Sequence, residues 1–75
     1  MDLRPGTILR HFKGEEYEVI CEARDSDTLE EVIVYKGLYN SEEFGNNPVW
    51  TRPKNEFFDK KTIDGKKVLR FEVIR

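Results

Sequence analysis

Cysteine is almost absent. Cys21 is the single thiol in 75 residues, so no internal disulfide can hold the fold and a reducing cytosol is the expected setting. Histidine is equally scarce. His11 with one distant cysteine falls short of the three or four ligands a metal site needs. No window approaches the ~18 apolar residues of a membrane span. No apolar stretch of leader type follows Met1-Asp2-Leu3-Arg4-Pro5. A cytoplasmic protein without a membrane partner is expected. Gly14, Gly37, Gly45 and Gly65 stand alone, so no glycine-rich loop cradles a phosphate. No set of side chains pairs a nucleophile with a base, and neither catalytic residues nor a cofactor are expected.

Charge is plentiful but unevenly placed. The net charge of −2 hides eight acids against Arg24 alone in residues 15–31, and eight bases against four acids in residues 52–75. The whole molecule has no positive field to draw in nucleic acid, although one basic face is compatible with it.

Seventy-five residues make one domain, 1–75, near the size at which a core only just outweighs chain entropy. Most of the nine aromatics must therefore be structural. Strands are expected over Gly6–Phe12, Glu16–Ala23, Leu29–Tyr39, Val49–Arg52 and Lys67–Ile74. The second puts Tyr17, Val19, Cys21 and Ala23 on one face, and Glu16, Glu18 and Glu22 on the other. Cys21 therefore reads as a small inward residue. Val32-Ile33-Val34-Tyr35 is apolar on both parities, as a covered central strand should be. Lys13-Gly14-Glu15 and Asp64-Gly65 supply turns, the latter a hairpin signal. Asn40–Pro48 reads as the longest loop, in which Phe44 is either a plug or an exposed contact. Pro53 opens one helical turn. Leu69, Phe71 and Val73 share a face of the last strand and read as buried core. The fold expected is all-β, a small SH3-like barrel of about five strands with one short helical turn.

Gly6, Arg10-His11-Phe12-Lys13-Gly14, Tyr17 and Ser26-Asp27-Thr28-Leu29-Glu30 form the first half of a wider pattern. Val34-Tyr35, Leu38-Tyr39, Val49-Trp50-Thr51-Arg52-Pro53, Phe57 or Phe58, Gly65 and Arg70-Phe71 continue it. In these features the chain resembles the short bacterial proteins grouped as domain-of-unknown-function family 1653. The resemblance implies an SH3-type barrel and no assigned activity. Asp25 stands where that pattern commonly has histidine, Asp27 where it has glutamate, and the Asn40–Pro48 loop is longer than its usual counterpart.

The candidate site centres on Val49-Trp50-Thr51-Arg52-Pro53. Trp50 and Arg52 share strand parity, so a stacking side chain and a bidentate anion binder project from one face. Tyr35 and Tyr39 extend the aromatic wall, and Arg10 is a second candidate anion anchor. The competing account makes these arginines partly buried struts that fix the barrel, pairing Arg52 with Glu56 and Arg10 with the acidic second strand. His11 is expected to bond a neighbouring carboxylate or carbonyl. The first function expected is a non-catalytic module that holds a peptide or protein partner. Recognition of RNA or single-stranded nucleic acid ranks second and catalysis last. A homodimer through an exposed strand edge or the Phe44 loop is also open.

Overall fold

The computed structural model describes residues 3–75, so Met1 and Asp2, at the head of the start expected to carry no leader, lie outside the described residues. Five strands form one antiparallel sheet: β1 (Ile8–His11), β2 (Glu16–Arg24), β3 (Glu31–Gly37), β6 (Val49–Pro53) and β9 (Phe71–Val73). Their spatial order is β6-β3-β2-β1-β9, which places β2 at the centre and β6 and β9 at the ends. Two small hairpins stand apart, β4 (Asn40–Ser41) with β5 (Gly45–Asn46), and β7 (Lys60–Ile63) with β8 (Lys66–Leu69). A single 3-10 turn, Lys54–Glu56, follows β6. The architecture is all-β with one short helical turn, as the alternating side chains predict.

Register explains which residues meet. Leu9 opposes Tyr17 and Val73, Val19 opposes Tyr35, Tyr35 opposes Trp50, Ile33 opposes Arg52, and His11 opposes Phe71. Directly paired residues lie on the same side of an antiparallel sheet, so all of these face inward. Leu3, Leu9, Tyr17, Val19, Ile33, Tyr35, Phe57 and Phe71 form the buried core. Phe57 and Phe71 stack with centroids 4.7 Å apart, and Tyr35 meets both rings edge-on at 5.3 and 5.5 Å. Burial of each such side chain contributes about 1.5–3 kcal/mol, with about 0.5–1.5 kcal/mol more for each well-set ring pair.

Cys21 departs from the expectation. The ladder between β2 and β3 slips between Val19 and Cys21, so that Cys21 opposes Val34 and Glu22 opposes Ile33. Ile20 is the extra residue of a β-bulge, and one extra residue reverses the facing of everything beyond it. Cys21 is thereby turned out and exposed, while Glu22 is brought to the side where Lys54 lies. The last strand is also not one core strand. It breaks at Arg70 into β8 and β9, and only Phe71 of the expected trio is buried, with Leu69 and Val73 37% and 36% exposed. Leu69 belongs to the separate β7–β8 arm, and Val73 sits on an end strand that pairs with no further strand among the described residues.

Three smaller features also differ from the sequence pattern. β3 starts at Glu31 rather than Leu29, which is exposed with φ +62° at the β2–β3 turn. Pro53 ends β6 and caps the 3-10 turn instead of opening it. The Asn40–Pro48 loop folds back on itself as β4 and β5, leaving Phe44 exposed at its tip. The Asp64-Gly65 hairpin forms as expected, with φ +50° and +79° at the two turn residues.

Candidate functional site

Four of the five candidate residues converge on the inner face near the β6 end of the sheet. Trp50 is half-buried and packs against the core. Phe44 reaches over from the β4–β5 hairpin and sets its ring edge-on to the indole at 5.1 Å. The Trp50 Nε1–H is buried and finds no hydrogen-bond acceptor among the described residues. A buried donor of this kind is rare in folded proteins.

Arg52 stands two residues along on the same face, its side chain 23% exposed. Its Nε–H donates to the Glu56 carbonyl at 3.2 Å, and one Nη2–H reaches Asp59 Oδ2 at 3.3 Å. Arg70, at the break between β8 and β9, grips the same carboxylate through two bonds, Nε to Oδ1 at 2.7 Å and Nη2 to Oδ2 at 3.1 Å. Its backbone N–H also donates to the Asp59 carbonyl at 2.9 Å. Asp59 therefore ties Arg52 to Arg70. The hydrogen bonds from Arg70 hold its carboxyl below the usual carboxylate range, and the carboxylate in turn raises the Arg70 guanidinium.

Aromatic hydroxyls complete the wall. Tyr35 is buried beneath Trp50, and burial raises its phenol while the nearby Arg52 and Arg70 pull it back. Tyr17 and Tyr39 hydroxyls lie 3.3 Å apart, and burial together with that bond raises the Tyr17 phenol. Tyr39 crosses directly over Gly37, where any Cβ would collide with its ring. Glycine is thus what seats Tyr39.

His11 sits beside Tyr17 and Phe71, and its Nδ1 accepts the Lys13 backbone N–H at 3.1 Å rather than binding a carboxylate or carbonyl. Burial, then the charges of Arg70 and Lys13, lower its pKa below the ordinary value.

Arg10 does not join this group. Its strand parity, between inward Leu9 and inward His11, sends it to the other side, where it pairs with Glu16 at 3.3 Å. That pairing with the second strand is the one anticipated for it. Arg52 takes the Glu56 carbonyl rather than its carboxylate, and draws its ion pair from Asp59 instead.

Asp59, Arg70, Tyr17 and Gly37 were outside the candidate set. Asp59 carries no sequence signal, lying in a plain charged run. Arg70 was legible only as an arginine inside a strand.

Two open grooves lie elsewhere. One of about 660 Å³ runs past Leu3, Leu29, Lys54 and Phe58. The other, about 700 Å³, separates Arg10, His11 and Phe12 from Ile63, Val68 and Leu69 of the arm. Among the described residues no three His, Cys, Asp or Glu side chains gather as a metal site, and no helix is long and apolar enough to cross a membrane.

The pattern of the family described as "Protein of unknown function (DUF1653)" matches residues 7–73. The chain belongs to this family. A crystal structure of a protein belonging to DUF1653 from Bordetella bronchiseptica is similar, with 32% identity and a TM-score of 0.80. The match covers 97% of this chain and 88% of that one. Among curated proteins no sequence matches. The family resemblance read from Trp50-Thr51-Arg52-Pro53 and its companions therefore holds over nearly the whole chain.

Proposed function

We propose that this DUF1653 protein is a non-catalytic binding module that holds a peptide or a segment of a partner protein against Trp50, Arg52, Tyr35 and Tyr39. The observation that carries this reading is the buried Trp50 Nε1–H, which has no acceptor among the described residues. Leaving such a donor unpaired costs about 1–3 kcal/mol. A ligand carbonyl would remove that cost on binding. The half-buried indole, the exposed Phe44 beside it and the partly exposed Arg52 supply apolar and polar contact within one small area. Small barrels hold extended peptides against such aromatic walls.

Panning a displayed random-peptide library against the immobilised protein tests this. Enriched peptides should bind several-fold more weakly to a Trp50→Phe variant, which keeps a ring but deletes the N–H. Peptides indifferent to that change and to Arg52→Ala would remove the site.

Nucleic-acid binding is the second reading, supported by a separate observation. Lys60, Lys61, Lys66 and Lys67 all lie on the separate β7–β8 arm, exposed and without an ion pair among the described residues. Filter binding of a homopolymeric RNA checks it, with affinity expected to fall steeply as salt rises. No retention at low salt would exclude it.

A further inference from the structure

The site specifies its ligand more closely than "peptide", a refinement that rests on the binding-module reading above. Arg52 offers five N–H donors in a planar fork. Its Nε–H is spent on the Glu56 carbonyl and one Nη2–H on Asp59. The remaining three hydrogens have no acceptor among the described residues. Asp59 is itself committed to Arg70 through both oxygens, so two guanidinium groups share one carboxylate. Glu56 lends Arg52 its carbonyl, and its carboxylate enters no ion pair among the described residues. The clamp on Nε fixes the plane of the fork and leaves its Nη edge free, a geometry that suits the two oxygens of a second carboxylate.

Trp50 adds the second contact. Its unpartnered N–H lies two residues away on the same strand and face, a separation of roughly 7 Å. An extended peptide repeats its own side at the same interval, because its backbone shares the strand's rise per residue. Carbonyls leave an extended strand sideways and side chains leave it face-on. One ligand strand can therefore set a backbone carbonyl on Trp50 while a long acidic side chain two residues on swings round to Arg52. The indole N–H is covered, and the movable neighbour is Phe44. Its ring is 57% exposed on a hairpin held by two residue pairs.

We infer that the ligand is an extended acidic peptide, whose backbone carbonyl accepts the Trp50 Nε1–H while its carboxylate pairs with the free edge of Arg52. A carboxylate is favoured over a phosphodiester by the rest of the surface. The acids of residues 15–31 give the sheet a negative region that would repel a long polyanion, whereas a short acidic segment need meet only Arg52 and Arg70.

The chain has a single tryptophan, so ¹⁵N-labelled protein gives one indole N–H cross-peak. The probes are a blocked pentapeptide of alternating valine and glutamate, its valine–glutamine counterpart, a valine–glutamine peptide with a free C-terminus, and a short oligothymidylate. The glutamate peptide should move the indole peak downfield to saturation, and the blocked glutamine peptide should bind about tenfold or more weakly. The free-terminus peptide separates a terminal carboxylate from a side-chain one, and binding by either supports the inference. Arg52→Lys should weaken the glutamate peptide and leave the blocked glutamine peptide unchanged. Equal binding of both blocked peptides with the indole peak moving would overturn the carboxylate and leave the module reading intact. If no peptide disturbs Trp50 even at millimolar concentration, both fall. A shift of the indole peak by oligothymidylate alone would overturn the inference in favour of nucleic acid.

Discussion

The two halves of β2 begin alike and end differently. From Glu16 to Val19 the strand alternates between half-covered and buried positions, and its apolar members join the core. From Ile20 to Arg24 every residue is exposed. The sequence alternates in both halves, with Ile20 alone standing on the parity of the acids. What differs is the bulge at Ile20 and the cover available: Phe57, Phe71 and the tyrosines roof the first half, whereas the second runs out beside the β2–β3 turn. There the contacts are ionic, with Lys54 bonded to Glu22 and Glu31, and Arg24 close to Glu31. Alternation marks where a strand can bury a face; the other elements decide where it does.

The strongest way to break this comparison is in the packed half. Phe57→Ala should cost about 3–5 kcal/mol, because a fully buried ring leaves a cavity among Tyr35, Phe58 and Phe71. Leu29→Ala, at the exposed turn, should stay within about 0.5 kcal/mol. Denaturant midpoints measure both, and equal losses would mean the core does not lie where the structure puts it. Asp59→Ala is expected next, at about 1–2 kcal/mol. It leaves two guanidinium groups facing one another, but the carboxylate is 35% exposed and solvent screens part of the loss.

Acid sharpens the contrast, because His11 and Asp59 lose their contributions from different starting values, 6.5 and 3.8. His11 has a folded pKa below 6.5, so the unfolded chain binds the extra proton and stability rises with pH through that range. Its contribution is present above 6.5 and is lost as pH falls through the folded value. Asp59 has a folded pKa below 3.8, so its contribution is present above 3.8 and is lost as pH falls through that depressed value. Melting temperature followed from pH 8 downward should show both declines. His11→Gln should remove the first alone. Asp25, lowered by the backbone N–H groups of Thr28 and Asp27, adds to the second and remains after Asp59→Asn.

Lys54→Met should have a smaller effect than Asp59→Ala, and one that fades in high salt. Lys54 is held by Glu22, then Glu31, and all three side chains are about half exposed to solvent and to its ions. A salt-insensitive loss would show that the distal end is packed after all.

Much of the fold was legible because it depends on period and turn chemistry. Asp64-Gly65 marks its own hairpin, and Val32 to Tyr35 could only be a covered strand. The bulge was not legible, since nothing in Val19-Ile20-Cys21 announces an extra residue; it emerges from pairing with Val34 and Ile33. The site divides the same way. Parity alone puts Trp50 and Arg52 on one face. That the face is the inner one depends on Tyr35 and Ile33 lying opposite, and Asp59 comes from a different part of the chain. Arg10 failed to join because parity relates residues within a strand and not between strands. Long-range pairing carries the information that local pattern lacks.

Cys21 offers the mildest and most discriminating change. An inward thiol would react with an alkylating reagent only when the protein opens, at a rate that falls as stability rises. The bulge turns it outward beside Val34, so native protein should be alkylated at close to the rate of a free exposed cysteine. Cys21→Ser should then shift stability by no more than about 0.5 kcal/mol, as expected for a surface position. Deleting Ile20 provides the decisive contrast. Without the extra residue Cys21 would follow Val19 directly and keep its outward place opposite Val34, with Glu22 still opposite Ile33, so rapid alkylation and the Glu22–Lys54 pair should both survive. A thiol that becomes protected after that deletion would mean that Ile20 is not the extra residue and that the bulge does not set the facing.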